Sequence, residues 1–237
     1  MLSHKNILIS TITVILLIAF ISGNIYLSFT TSWIYNYQLS KYETSKIFHP
    51  EINNPLSLES LQLITLEIKQ YFINGDNLNP KIITNEKKEI PAFNTRELIH
   101  MKDVHAIVMG VKNTAIISFS IFFVIFLYFI IRKRLKGLLY ILKILEKSTL
   151  LGILFIIITG IIILLFFESL FLLFHKISFT NDYWQLNPEK DFLIVLFPFD
   201  FWVNATIFIV VASIILILLS FGISFCLRKI IEKNYNR

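Results

Sequence analysis

Glu168 and His175 stand seven residues apart, two helical turns, in an otherwise apolar stretch, and a short polar and aromatic run holding Asn181, Asp182, Trp184 and Asp191 follows at once. Polar and ionisable groups at a hydrocarbon boundary cost free energy, so this density between two apolar runs points to a working site rather than an anchor. A carboxylate inside such a boundary needs a partner or a proton, and an imidazole on the same helical face supplies one. Glu168 and His175 would serve equally well as a structural tie between helices. Tyr183 and Trp184, taken alone, read as ordinary interface anchors. Asn181 and Asp182 have no such routine role.

A second constellation lies upstream at Arg96, Glu97, His100 and Asp103. Glu97, His100 and Asp103 recur at three-residue intervals, which places acid, imidazole and acid along one stripe of a helix. A carboxylate beside an imidazole can fix its tautomer and stabilise its protonated form, which makes a positioned base. Solvated helices carry such charge pairs too. His4, His49 and His105 have no partner pattern and read as solvated. The chain has no HExxH helix, phosphate-gripping glycine loop, GxSxG elbow or aspartyl pair in an apolar run, so no metal, nucleotide or other cofactor is expected. The single cysteine, Cys226, excludes an intrachain disulfide and a Cys-rich zinc site.

These residues need a membrane scaffold. Of 237 residues, 55% are hydrophobic, and the mean hydropathy of +0.69 is far above what a soluble domain tolerates. Four stretches are long enough to span, near 7–29, 107–131, 149–173 and 203–227. The first reads as an uncleaved anchor, because no small-x-small cleavage pattern follows it. Eleven Lys and Arg residues near one set of span ends, among them Lys5, Arg132 and Arg228, face only Glu146 and Glu232. Both termini are therefore expected in the cytoplasm, and the segments 30–106 and 174–202 outside. The net charge of +6 follows from that topology and from contact with anionic lipid, with no need of nucleic acid.

The expected architecture is thus an all-α integral membrane protein forming one membrane domain over 1–237, with four transmembrane helices and an extracytoplasmic helical cap between the first two. In the cap, Asn54-Pro55 offers a helix start, and Leu58, Leu61, Ile64 or Thr65, Ile68 and Phe72 recur at helical spacing until Asn74-Gly75 stops the run. Its apolar face would cover the bundle mouth or lie on the bilayer. Turn-rich 74–80 and charged 86–89 follow, and then Asn94 with Glu97 forms a capping-box pattern that opens a helix running from Thr95 into the second span.

Phe167-Glu-Ser-Leu-Phe-Leu-Leu-Phe-His175, followed by Phe179, Asn181, Trp184, Pro188, Asp191, Leu193-Ile194 and Pro198, together with Arg96-Glu-Leu-Ile-His-Met-Lys-Asp-Val104, resembles the lipoprotein intramolecular transacylases of Gram-positive bacteria. The likeness covers nearly the whole chain. It departs at Glu168, where the family usually has Asp, and at Phe199-Asp200, where Glu is more usual. The resemblance implies transfer of the sn-2 acyl chain of a diacylglyceryl-cysteine lipoprotein to that cysteine's own α-amino group, giving the lyso form. It implies a multi-pass plasma-membrane enzyme working at the outer leaflet on diacylglyceryl lipoproteins, without ATP or metal. Catalysis would fall to His100 and His175, oriented by Asp103 and Glu168. Asn181, Asp182, Trp184, Asp191, Arg96 and Glu97 would bind substrate or the oxyanion. Two other readings stand beside it: a phospholipid acyltransferase or esterase using the same histidines, and a four-helix accessory subunit in which they are polar ties.

Overall fold

The computed structural model describes residues 4–41, 47–52, 55–83 and 88–235. In chain order the elements are α1 (His4–Thr30), α2 (Ser32–Lys41), α3 (Leu58–Asn74), β1 (Lys81–Ile83), β2 (Glu89–Pro91), α4 (Thr95–Leu165), α5 (Phe167–Ser178), α6 (Phe192–Leu196) and α7 (Phe199–Tyr235). Among the described residues three helices are long and apolar enough to cross a membrane: His4–Thr30, Thr95–Leu165 and Phe199–Asn234. The chain divides into two compact units, Met1–Ile25 with Val111–Leu165 and Ile207–Arg237, and Tyr26–Gly110 with Phe166–Thr206.

In the first unit the long helices turn large side chains such as Ile117, Phe123, Leu154 and Leu219 outward, as lipid-facing helices do. Ile12, Leu16, Ile141 and Ile144 form one interior cluster and Leu17, Ile156 and Ile217 another. Polar groups inside are satisfied within the protein. Thr13 Oγ1 donates to Ile9 O at 2.8 Å, Ser148 Oγ to the same carbonyl at 3.1 Å, and Asn24 Nδ2 to Ser213 Oγ at 2.8 Å. Arg228 forks onto Glu146 at 2.6 and 3.0 Å and reaches Glu232 at 2.9 Å. α4 is two helical arms broken at Arg134, whose φ of 47° and ψ of −131° lie outside helical space. Gly137 lets the second arm start, since a Cβ there would sit 1.9 Å from Phe129 O.

The apolar run expected over 149–173 is not continuous. Helix ends at Leu165, Phe166 takes φ −117° and ψ 26°, and α5 restarts at Phe167. No Gly or Pro marks the break. It costs about one helical hydrogen bond, net ~1 kcal/mol. In return the stripe Phe167, Phe171 and His175 meets Phe199, Trp202 and Trp184 at centroid distances of 5.3, 6.1 and 5.2 Å. Aromatic pairs contribute about 0.5–1.5 kcal/mol each beyond their burial, so three outweigh the lost bond.

The second unit has its own core, built on Phe72, Phe192, Leu61, Ile64, Ile68, Ile82 and Leu196. α3 starts on Ser57, which accepts from Ser60 N, and stops on Gly75 at φ 77°, whose N–H returns to Tyr71 O. Asn54, expected at its start, and residues 86–87 of the expected charged stretch lie outside the described residues. The face Leu61, Ile64, Thr65, Ile68 and Phe72 is buried in protein as the periodicity predicts, whereas Leu58 is exposed. The all-α expectation missed a small antiparallel hairpin pairing Ile82 with Ile90. Pro80 and Pro91 bar helix here, and the β-branched Ile82 fills the core.

Candidate active site

A capping box sets the register of α4. Asn94 N donates to Glu97 Oε2 at 2.8 Å, and Glu97 N donates to Asn94 Oδ1 at 3.1 Å. From that start Arg96, His100 and Asp103 fall at i, i+4 and i+7 on one stripe. They lie ahead of the apolar run that begins at Ile107. α5 supplies His175, whose ring centroid lies 6.2 Å from that of His100. Two imidazoles 75 residues apart in sequence thus meet in one aromatic setting.

His100 is 7% exposed, and its Nδ1 is sealed in protein without a hydrogen-bond partner among the described residues. The Phe179 ring meets it edge-on at 5.0 Å. Burial, reinforced by the neighbouring His175 and opposed by Asp103, pushes its pKa down to about 4. His175 is half-buried, and its Nδ1 lies 2.7 Å from Phe171 O. A carbonyl only accepts, so Nδ1 carries the hydrogen and Nε2 the lone pair. Burial lowers this pKa also, against the opposing pull of that hydrogen bond. Both rings are therefore neutral near pH 7. Phe171, Phe174, Phe179 and Trp184 surround His175 at centroid distances from 4.4 to 5.5 Å.

The segment 179–185 runs past both rings and is tied to α4 at its two ends. Asn181 Nδ2 donates to Asp103 Oδ2 at 2.8 Å, and Arg96 Nη2 donates to Asp182 O and, at 2.8 Å, to Gln185 O. Asn181 Oδ1 accepts from Tyr183 N at 3.1 Å and Asp182 Oδ1 accepts from Gln185 Nε2 at 2.9 Å, which fixes the turn internally. Two neutral imidazoles paired in an aromatic setting can accept and return protons. That is general acid–base chemistry.

A sequence model of the family described as lipoprotein intramolecular transacylase Lit matches residues 10–202. The chain belongs to this family. Solved structures of the Lit transacylase from Bacillus cereus share its fold: one has a TM-score of 0.67 at 19% identity, covering 98% of this chain and 97% of that one. A histidine-substituted variant of the same protein gives a TM-score of 0.72 at 19% identity, with 98% and 96% covered. A comparison with curated protein sequences gives no match.

Several residues take other positions in this Lit-family chain than their spacing predicts. Glu97, expected to bind substrate, is 1% exposed and accepts from Leu193 N at 2.6 Å as well as from Asn94 N, so it joins the starts of α4 and α6. Burial raises its pKa to about 7 despite those two donors. Asp191, also expected at the substrate, is buried and accepts from Asn94 Nδ2 at 2.8 Å and Asn187 N at 2.6 Å. Glu168, expected to orient His175, is exposed on α5, and no hydrogen bond or ion pair joins the two among the described residues. The Phe171 carbonyl orients His175 instead, a role signalled only by its place one helical turn earlier. Asp103 reaches Asn181 rather than His100. His49, expected to be solvated, is buried, with Nε2 3.2 Å from Ala92 O and Nδ1 accepting from Glu51 N at 3.2 Å. His105 is likewise packed, against Tyr71 at 4.9 Å and Phe72 at 6.2 Å.

Proposed function

We propose that the protein is a lipoprotein intramolecular transacylase that moves the sn-2 acyl chain of a diacylglyceryl-cysteine lipoprotein onto the cysteine's own α-amino group, using His100 and His175. The observation carrying this reading is the 6.2 Å approach of the two rings in a chain of the Lit family. In this reading both arms of α4 cross the bilayer, the termini are cytoplasmic and the histidines work at the outer face of the plasma membrane.

The α-amino group has a pKa of about 7.7–8.0 and is largely an ammonium at neutral pH. His175 Nε2, whose lone pair is set by the hydrogen bond from Nδ1 to Phe171, takes its proton. The amine nitrogen attacks the ester carbonyl carbon, and the tetrahedral oxyanion accepts from the Trp184 indole N–H or the second amide hydrogen of Asn181. On collapse the nitrogen gives its second proton to His100 while the His175 imidazolium protonates the departing glyceryl oxygen. The C–O bond breaks, the C–N bond remains, and His100, a weak base with its pKa near 4, returns its proton to water. Ester and ammonium become amide, alcohol and one proton, with no need of ATP. Holding both groups in one site contributes up to roughly 7–11 kcal/mol through proximity.

The test is expression in a bacterium whose lipoproteins stop at the diacylglyceryl form, read by tandem mass spectrometry of the N-terminal lipopeptide. Intramolecular transfer leaves the mass unchanged and moves one acyl chain to the N-terminal fragment. His100→Ala and His175→Ala should lose that fragment; normal levels in either would overturn the assignment. A gain of one acyl mass would show instead a phospholipid-dependent acyltransferase.

A further inference from the structure

His100 lies midway along a stripe whose two ends, Arg96 and Asp103, both hold the segment 179–185. That segment carries Phe179, which meets His100 at 5.0 Å, and Trp184, which meets His175 at 5.2 Å. Of the two carboxylates three residues from His100, Glu97 is engaged by Asn94 N and Leu193 N, which leaves Asp103 where a charge partner for the imidazole would be expected. Its Oδ2 instead accepts from Asn181 Nδ2 at 2.8 Å, while His100 Nδ1 has no hydrogen-bond partner among the described residues. Asn181 in turn uses Oδ1 to fix the turn leading to Trp184.

We propose that Asp103 is a positioning residue for the acyl transfer: it acts through Asn181 to strap the segment 179–185, and with it Phe179 and Trp184, over the two histidines, and its negative charge is dispensable. This rests on the transacylase reading above. The hydrogen bond needs an acceptor at residue 103, and an amide oxygen serves as well as a carboxylate. Arg96 holds the Asp182 and Gln185 carbonyls, so losing the Asp103 tie loosens the segment at Asn181 and toward Phe179 without releasing the whole of it.

The experiment uses the purified full chain in phospholipid vesicles with a synthetic diacylglyceryl lipopeptide. Turnover, KM and the pH profile are compared for Asp103→Asn, Asp103→Ala, Asn181→Ala and the Asp103→Ala/Asn181→Ala double variant. Asp103→Asn should keep kcat at neutral pH within about threefold, because removing the charge only lowers further a His100 pKa that already lies well below neutrality. Asp103→Ala should lower kcat by about 10–100-fold with a smaller change in KM, the scale on which misplaced groups cost rate. The double variant should lose less than the two single losses combined, because both substitutions remove the Asp103–Asn181 bond, while Asn181→Ala by itself also removes the other contacts of that side chain. An Asp103→Asn variant as slow at neutral pH as Asp103→Ala would show that turnover needs the charge and overturn the proposal. A fully active Asp103→Ala would overturn it also. His175→Ala run in parallel separates the two readings: if that variant retains turnover the histidine assignment fails by itself, whatever residue 103 does.

Discussion

Glu97→Ala isolates the difference between a residue that binds substrate and one that holds the scaffold. The carboxylate is 1% exposed and satisfies two backbone donors, Asn94 N at 2.8 Å and Leu193 N at 2.6 Å. Truncation leaves both N–H groups without a partner, at about 1–3 kcal/mol each, hence roughly 2–6 kcal/mol in all. For a chain of this size, at about 2–4 °C per kcal/mol, that corresponds to a fall of about 4–24 °C in Tm. Glu97→Gln keeps one acceptor oxygen but points an amide N–H₂ at the other donor, so about half the loss is expected. The pH dependence has a definite sign. The folded carboxyl has its pKa raised from 4.5 to about 7, so the folded state binds the proton more tightly than the unfolded one. This group's contribution therefore declines as pH rises through that window, and both variants should lose the slope. The assay is thermal unfolding in detergent micelles followed by circular dichroism, with turnover measured at low temperature on the folded fraction. A Tm change below about 2 °C, or full stability with lost turnover, would refute the reasoning and return Glu97 to the substrate.

Gly137→Ala should disrupt the junction between the arms of α4, because the added Cβ would lie 1.9 Å from a backbone carbonyl that cannot swing aside; reduced yield and a lower Tm in micelles would be the readout. His100 should impose an acid limit on stability. Its folded pKa of about 4 lies below the usual 6.5, so its contribution is complete above 6.5 and is lost as pH falls toward 4, a slope that His100→Gln should remove in pH-dependent unfolding.

Much was legible in the chain without coordinates, and for a physical reason: apolar length, charge bias and capping chemistry are local. The membrane-length runs, the buried face of α3 with its stop at Gly75, and the Asn94–Glu97 box that opens α4 all follow from neighbours in sequence. The break at Phe166 left no local mark, because it is driven by aromatic contacts to Phe199 and Trp202 more than 25 residues away.

The same division runs through the candidate site. The sequence alone determined which residues carry ionisable chemistry, that His100 and His175 belong to helices at the ends of apolar runs, and that Glu97, His100 and Asp103 recur along one side of a helix. Which group partners which was decided only by tertiary structure. Asp103 and Glu97 flank His100 by one helical turn, yet their hydrogen bonds go to Asn181 and Leu193, 78 and 96 residues distant. A buried acceptor is claimed by whichever donor the fold brings within about 3 Å at a good angle, and nearness along a helix does not supply that geometry.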